Sequence, residues 1–259
     1  MIYTCYDMLR DCRADRPEGW RYFISNYVPV IRLLLSHYAP ASPMPIERIL
    51  TTLKKPESSL FSAMEAAPER WFLAELRQKA LAELEFPAPE IDLDLETLAT
   101  ALAPLTVTEK QAAWTEGMGY TPQEAGPMLR MAPATVTKIR DRAAELLRGS
   151  VDSWNRGLLA SNGPHLGRAA AAAAVTKDCV SVKTFLDVLD GRATWAGREE
   201  MERHVGGCMH CIDHFCRMAE VIEILRHVKP LTEEEAAPFY KLLGIDAKQR
   251  KGWRRLLPA

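Results

Sequence analysis

The feature that most limits how this chain can fold is a cluster of metal-ligating side chains towards its carboxy terminus. His204, Cys208 and Cys211 form a His-x3-Cys-x2-Cys pattern, and Cys179 lies upstream in a segment with helical spacing. Three thiolates and one imidazole make a closed tetrahedral ligand set for Zn²⁺. His204 is expected to end one helix and Cys208 to begin the next, where the helix dipole favours a thiolate. The pattern therefore predicts a small zinc-bound helical module over residues 177–228.

The ligand set also limits what the metal can do. Four protein ligands leave no open position for water, so the metal is expected to hold structure. The sequence has no phosphate-cradling glycine loop and no paired-carboxylate setting, and we do not expect an enzyme. Cysteines beside a metal can oxidise and release it, which leaves a redox role open, and ordinary buried thiols are the alternative. The same segment offers three second-choice ligands: His210, His214 and Cys216.

The rest of the chain favours an all-α protein. Its apolar residues follow three-and-four spacing, without a strand pattern or an internal repeat. The formal net charge is −1, so any contact with nucleic acid must come from a local basic patch. The apolar runs are far shorter than the roughly 20 residues of a membrane helix. Because the amino terminus also lacks a secretory signal pattern, we expect a cytoplasmic protein without membrane contact.

The first third of the chain predicts a helical bundle module over residues 1–85. The segment 20–38 has the periodicity of a core-facing helix, which Pro29 is expected to kink. Further helices are predicted over 46–53, 58–64 and 69–84.

Changes in composition divide the remaining residues. A proline-rich break at 86–90 precedes a second helical module over 93–148. The segment 149–176, rich in Gly, Ser, Asn and Ala, is interpreted as a linker before the zinc module.

Residues 229–259 are expected to form a C-terminal helix and a basic tail. Thr232 is followed three positions later by Glu235, which predicts a capping box. Basic residues near Trp253 could contact nucleic acid or polymerase, and a solvated helix with one buried aromatic side chain is the alternative.

The second module carries the pattern of a helix-turn-helix. Thr121 is a hydroxyl cap, Pro122 suits the first helical position and Glu124 can reach back to the cap. The sequence breaks at 131–133, and a second helix then follows. Its inner face is predicted to comprise Val136, Ile139, Ala143, Leu146 and Leu147.

The second helix of this motif is rich in basic residues, which gives the local positive field that phosphates require. A basic amphipathic helix that merely packs on its neighbours is the alternative. In the DNA-binding interpretation, the residues that meet DNA are Thr135, Thr137, Lys138, Arg140 and Arg142.

These segments carry a resemblance to a known family. Residues 102–148, through 120–125, 134–136 and 142–148, resemble region four of extracytoplasmic-function sigma factors, which binds the upstream promoter element. Residues 1–85 resemble a diverged region two, which in that family grips the RNA polymerase clamp and melts DNA. The resemblance implies RNA polymerase core and promoter DNA as partners.

A second resemblance concerns the predicted zinc module. Cys179 with His204, Cys208 and Cys211 is similar to the zinc-binding anti-sigma domain, whose helices wrap a sigma factor and block its polymerase surfaces. The combination implies a sigma-like regulator that is modulated in cis by its own zinc module.

Two other functions stay open. The chain could be an anti-sigma or adaptor protein with a degenerate sigma-like part, which binds another sigma factor or regulatory protein. It could also be a stand-alone helix-turn-helix DNA-binding regulator. Promoter binding would argue against the adaptor, and DNA binding to which core polymerase adds nothing would favour the stand-alone regulator.

Overall fold

The computed structural model describes residues 3–38, 45–55, 59–62, 68–84, 100, 102–150 and 176–245. The helices in these residues are α1 (Cys5–Arg13), α2 (Pro17–Tyr38), α3 (Ile46–Lys54), α4 (Ser59–Ser62), α5 (Glu69–Ala82), α6 (Val107–Gly117), α7 (Pro122–Leu129), α8 (Pro133–Ser150), α9 (Val182–Leu189), α10 (Trp195–Gly207), α11 (Met209–His227) and α12 (Glu233–Leu242). No strand occurs among them, which confirms the all-α fold for this part of the chain. A search of the same residues finds no helix with the length and apolar character needed to span a bilayer.

The chain divides into two compact units. The first unit comprises 1–85 and 224–259, and the second unit comprises 86–223. The predicted helix-turn-helix module and the predicted metal module up to residue 223 fall within the second unit, whereas 224–228 and α12 belong to the first. The predicted break at 86–90, nearly all of the predicted linker and the basic tail around Trp253 lie outside the described residues.

An aromatic core holds the first unit together. The rings of Trp20, Phe23 and Tyr27 on α2 meet Phe61 of α4 and Phe72 of α5, with centroids 5.1 to 6.2 Å apart. Tilted and edge-to-face pairs of this kind add stabilisation beyond the area they bury. The spacing that predicted a core-facing helix is thus borne out by burial of these α2 side chains.

The sequence interpretation missed α1. Thr4 caps this helix through a capping box with Asp7, and α1 packs along α2. The other helices of the first unit begin within three residues of their predicted starts.

The C-terminal helix α12 packs on α2 and α3 within the first unit. The capping box predicted at its start is present, because Thr232 and Glu235 exchange hydrogen bonds. Phe239 and Tyr240 are buried there, and the Lys54 ammonium donates to the carbonyl of Leu243. The helix is therefore an integral part of this unit's packing.

Helices α6 to α11 form the second unit, with one core shared by the two predicted modules. Tyr120, Ala125, Met128 and Val136 come from the helix-turn-helix region, and Ala219 comes from α11, the helix that also carries Cys211. Helix α11 therefore carries both a candidate metal ligand, Cys211, and a residue of this core, Ala219.

Candidate metal centre and helix-turn-helix

The four predicted ligands come together in the second unit. One donor atom from each of Cys179, His204, Cys208 and Cys211 lies within 4.8 Å of the others. The sulfurs of Cys179 and Cys208 are 3.9 Å apart. With metal–sulfur bonds of about 2.3 Å, two sulfurs of a tetrahedral zinc site lie about 3.8 Å apart. The cluster can therefore hold a metal ion.

Local backbone structure positions each ligand. His204 lies in the last turn of α10, Cys208 is the extended residue between α10 and α11, and Cys211 lies in the first turn of α11. Both helix boundaries fall later than predicted: α10 continues three residues beyond His204 to Gly207, and α11 begins one residue after Cys208. Cys179 comes from the turn before α9, where the Thr176 amide donates to its sulfur at 3.2 Å. Three ligands are thus local to one interhelical turn, and tertiary packing supplies the fourth.

The electrostatic setting differs between the thiols. Burial acts to raise the pKa of Cys179, but hydrogen bonds from Thr176 and the neighbouring thiols hold it below its ordinary value. Burial raises the pKa of Cys211 to about 12, against a hydrogen bond from the Val180 amide. A bound cation favours the thiolate form of both residues, because its charge is the largest in such a site.

His204 provides an independent test of fit. Its Nε2 atom is buried and has no hydrogen-bond partner. A buried polar atom without a partner costs free energy, and a metal bond or a proton acceptor would remove that cost. The donor chemistry and this nitrogen both suit a metal ligand.

The second-choice ligands lie outside the four-residue cluster. His214 stacks on Phe185, with ring centroids 5.4 Å apart and planes 9° from parallel. Burial, together with the neighbouring His210, lowers the pKa of His214 to about 4. Cys216 is buried in α11. The packing on Phe185 gives His214 a structural role.

The first helix of the predicted helix-turn-helix begins where the sequence predicts. Thr121 and Glu124 form the capping box of α7, with Pro122 as the first helical residue. The turn into α8 requires a left-handed residue, Arg130, with φ of 55°. Gly126 permits this turn, since a Cβ there would lie 2.8 Å from the carbonyl oxygen of Met131. The absence of a side chain at Gly126 therefore makes the close turn possible.

The predicted DNA contacts separate into exposed and internal residues. Thr135, Thr137 and Lys138 are exposed on α8. Arg142 is also exposed, and its guanidinium pairs with Glu109 at 2.9 Å. Arg140 differs from the prediction because it is buried.

Arg140 binds acceptors inside the module. Its guanidinium donates to the carbonyls of Ala112 and Tyr120, at 3.2 and 3.0 Å, and to the Thr115 hydroxyl. These bonds tie α8 to α6 and remove Arg140 from the exposed face. The sequence held a signal for this, since Arg140 lies on the same helical stripe as Val136 and Ala143.

Contacts between the helix-turn-helix and the metal segment were not predicted. The indole N–H of Trp114 donates to Asp213 at 3.0 Å, and the Tyr120 hydroxyl donates to Glu220. Arg130 donates to the carbonyl of Leu189 at 2.5 Å. These partners are far apart in sequence, so no local pattern identifies them.

Comparisons with protein-family models, curated proteins and solved structures returned no match for this chain.

Proposed function

We propose that this protein is a sigma-factor-like transcription regulator that binds RNA polymerase core and promoter DNA, and that its metal-binding segment and C-terminal helix modulate it in cis. One observation carries the proposal. The helix-turn-helix exposes Thr135, Thr137 and Lys138 on one side of α8 while its opposite side shares a core with α11 of the metal segment. The side of α8 that suits DNA is thus exposed, while the metal segment packs on the opposite side of the helix.

The chemistry of the exposed face supports DNA contact. Two hydroxyls and one ammonium lie near the start of α8, where a recognition helix presents its side chains to the major groove. Lys138 supplies a phosphate or base contact, and the threonine hydroxyls accept or donate at base edges. Arg142 can reach a phosphate if it leaves Glu109, since that ion pair is exposed on the arginine side.

The metal in this proposal is Zn²⁺. Three thiolates and one imidazole match the ligand preference of zinc in structural sites. A closed set fixes the turn between α10 and α11, and the donor set gives no reason to assign the metal a catalytic role.

Helix α12 is proposed to act on the first unit. It lies on α2 and α3, where it covers side chains that would otherwise face solvent or a partner. Arg21 and Arg32 of α2 lie under the rings of Tyr240 and Phe239, 4.8 and 5.3 Å from their centroids. Cation–π contacts of this kind add modest stability to the burial of Phe239 and Tyr240.

The experiment compares two truncations of the metal-loaded protein. A chain ending at Val228 lacks α12, and a control chain ending at Ile245 lacks only the tail beyond the described residues. Binding to RNA polymerase core and transcription from a promoter recovered by selection of random duplexes are measured for each. The proposal expects full-length protein to bind core and the Val228 truncation to transcribe more strongly than the control.

The other outcomes point elsewhere. DNA binding without core binding would support the stand-alone helix-turn-helix regulator. Binding to neither, with capture of a purified sigma factor, would support the adaptor. A Lys138→Ala variant serves as the DNA-contact control, because its side chain is exposed and its loss should leave the fold intact.

A further inference from the structure

The end of α10, next to the turn at Cys208, lies directly against helix α6 of the helix-turn-helix region. Gly206, between His204 and Cys208, approaches α6 so closely that a Cβ would lie 3.1 Å from Val107 Cγ2. The Lys110 ammonium donates to the carbonyl of Gly206. Burial also lowers the pKa of Lys110.

A second contact reaches the helix on the other side of that turn. Asp213 lies two residues after the ligand Cys211, is buried, and pairs with Arg217. Trp114, one helical turn after Lys110 on α6, donates its indole N–H to Asp213 at 3.0 Å. Residues four apart share a helix face. One face of α6 thus touches both helices that the metal turn joins.

The same helix α11 continues into the helix-turn-helix core. Two turns beyond Asp213, Glu220 accepts the Tyr120 hydroxyl, and Ala219 packs with Tyr120, Ala125 and Val136. The position of α11 therefore sets the contacts that this core makes with Ala219 and Glu220. Since Cys211 lies at the start of α11, a metal bound there fixes that position.

We propose that Lys110 and Trp114 are positioning residues that couple metal binding to the order of the helix-turn-helix. Metal binding fixes the end of α10 and the start of α11, which then present the Gly206 carbonyl and Asp213 to α6. Conversely, α6 holds the turn in the geometry that brings the ligands together. The coupling is reciprocal, because two linked equilibria change each other by the same factor. The inference rests on metal binding in the proposed function and is independent of polymerase.

The expected change in zinc affinity can be judged from the known effect of groups that surround metal ligands. Removing a side chain that orients a ligand typically costs 10- to 100-fold in metal affinity. Lys110 and Trp114 bond to neighbours of the ligands, Gly206 and Asp213, so we expect the low end of this range, about a tenfold loss for Lys110→Met and for Trp114→Phe. Lys138→Met is the matched control, because Lys138 is exposed on α8.

The test uses the full-length protein and Zn²⁺. Zinc affinity is measured by competition with a chromophoric chelator, and amide hydrogen exchange is followed over 107–146 before and after the metal is removed. The expected result is faster exchange over 107–146 on metal removal, with weaker zinc binding in the Lys110 and Trp114 variants only. Lys110→Arg, which keeps a cationic donor, should restore part of the affinity.

Each alternative outcome is decisive. If the wild-type protein binds zinc but exchange over 107–146 does not change on its removal, the coupling is wrong whatever the variants do. If both variants bind zinc as tightly as Lys138→Met, the two residues are not positioning residues. If the wild-type protein binds no zinc, the metal site of the proposed function itself fails. Exchange over 107–146 at saturating zinc reports whether a variant is folded, because this segment lies in the same unit as Lys110 and Trp114.

Discussion

The backbone amide of Leu231 donates a hydrogen bond to the carbonyl of Ser25 at 2.8 Å. In an α-helix that carbonyl would accept from the residue four positions later, which here is Pro29 and has no N–H. The segment leading into α12 therefore supplies the donor that the proline removes. Pro29, which the sequence interpretation treated as the cause of a kink, also creates the acceptor for the C-terminal segment.

Tyr240→Ala should weaken the attachment of α12. The Tyr240 side chain is buried, its hydroxyl lies 3.2 Å from that of Ser25, and its ring lies over Arg21. Loss of a buried aromatic side chain costs about 3 kcal/mol. We expect the free energy of unfolding to fall by about that amount in urea titrations. Leu242→Ala on the exposed side of α12 should change it by less than about 0.5 kcal/mol; equal effects would mean that α12 is not held through Tyr240.

Cys211→Ser should abolish tight metal binding. Losing a ligand removes more than an orienting neighbour does, so we expect at least about a 100-fold loss of affinity. The measurement is titration with Co²⁺, whose sulfur-to-metal charge-transfer absorption counts thiolate ligands. Cys216→Ala is the matched control, because Cys216 is a second buried thiol on α11 outside the cluster. A three-thiolate spectrum that survives Cys211→Ser would exclude this ligand.

Local chemistry accounts for what the sequence predicted well. A capping box involves residues three apart, so those at Thr121 and Thr232 could be identified from the chain alone. The metal cluster was also predictable, because three of its ligands lie around one turn. The same pattern at Thr4 and Asp7 was present in the sequence and marks the helix α1 that was missed.

Tertiary contacts account for what the sequence did not predict. Tyr120 and Glu220 are separated by 100 positions, and nothing near either residue indicates the other. Arg140 was assigned to DNA by its charge, although its position between Val136 and Ala143 indicated burial. The positive charge of a residue suggests contact with DNA, but its position along the helix determines which side of α8 it occupies.

Arg140→Ala and Lys138→Ala should separate stability from DNA binding. Removing the Arg140 guanidinium breaks three buried hydrogen bonds, although the Ala112 carbonyl keeps the Thr115 hydroxyl as a donor, and we expect a loss of about 2 kcal/mol in the free energy of unfolding. Lys138 is exposed, so its replacement should leave stability unchanged. The replacement should weaken DNA binding and lower the number of counterions released on binding by about one, measured from the salt dependence of the binding constant. The free energy of unfolding and the affinity for DNA are measured for each variant. If Arg140→Ala leaves stability unchanged but weakens DNA binding, Arg140 contacts DNA as the sequence predicted.

The protein should lose stability in mild acid through His214. Burial lowers the pKa of His214 to about 4, against an ordinary value of 6.5, so the unfolded chain binds the proton more readily than the folded one. The contribution of this residue is therefore complete above about pH 6.5 and is lost progressively as the pH falls towards 4. At pH 5 the loss amounts to about 2 kcal/mol.

His214→Phe isolates this effect, because a phenyl ring can keep the stacking on Phe185 without titrating. Urea unfolding of the variant and the wild type is compared at pH 7.5 and pH 5. The metal ligands also gain protons as the pH falls, but they do so in both proteins and cancel in the difference. The wild type should lose about 2 kcal/mol more than His214→Phe between the two pH values. Equal losses would show that His214 is solvated enough to titrate normally, and that its stacking on Phe185 does not exclude water.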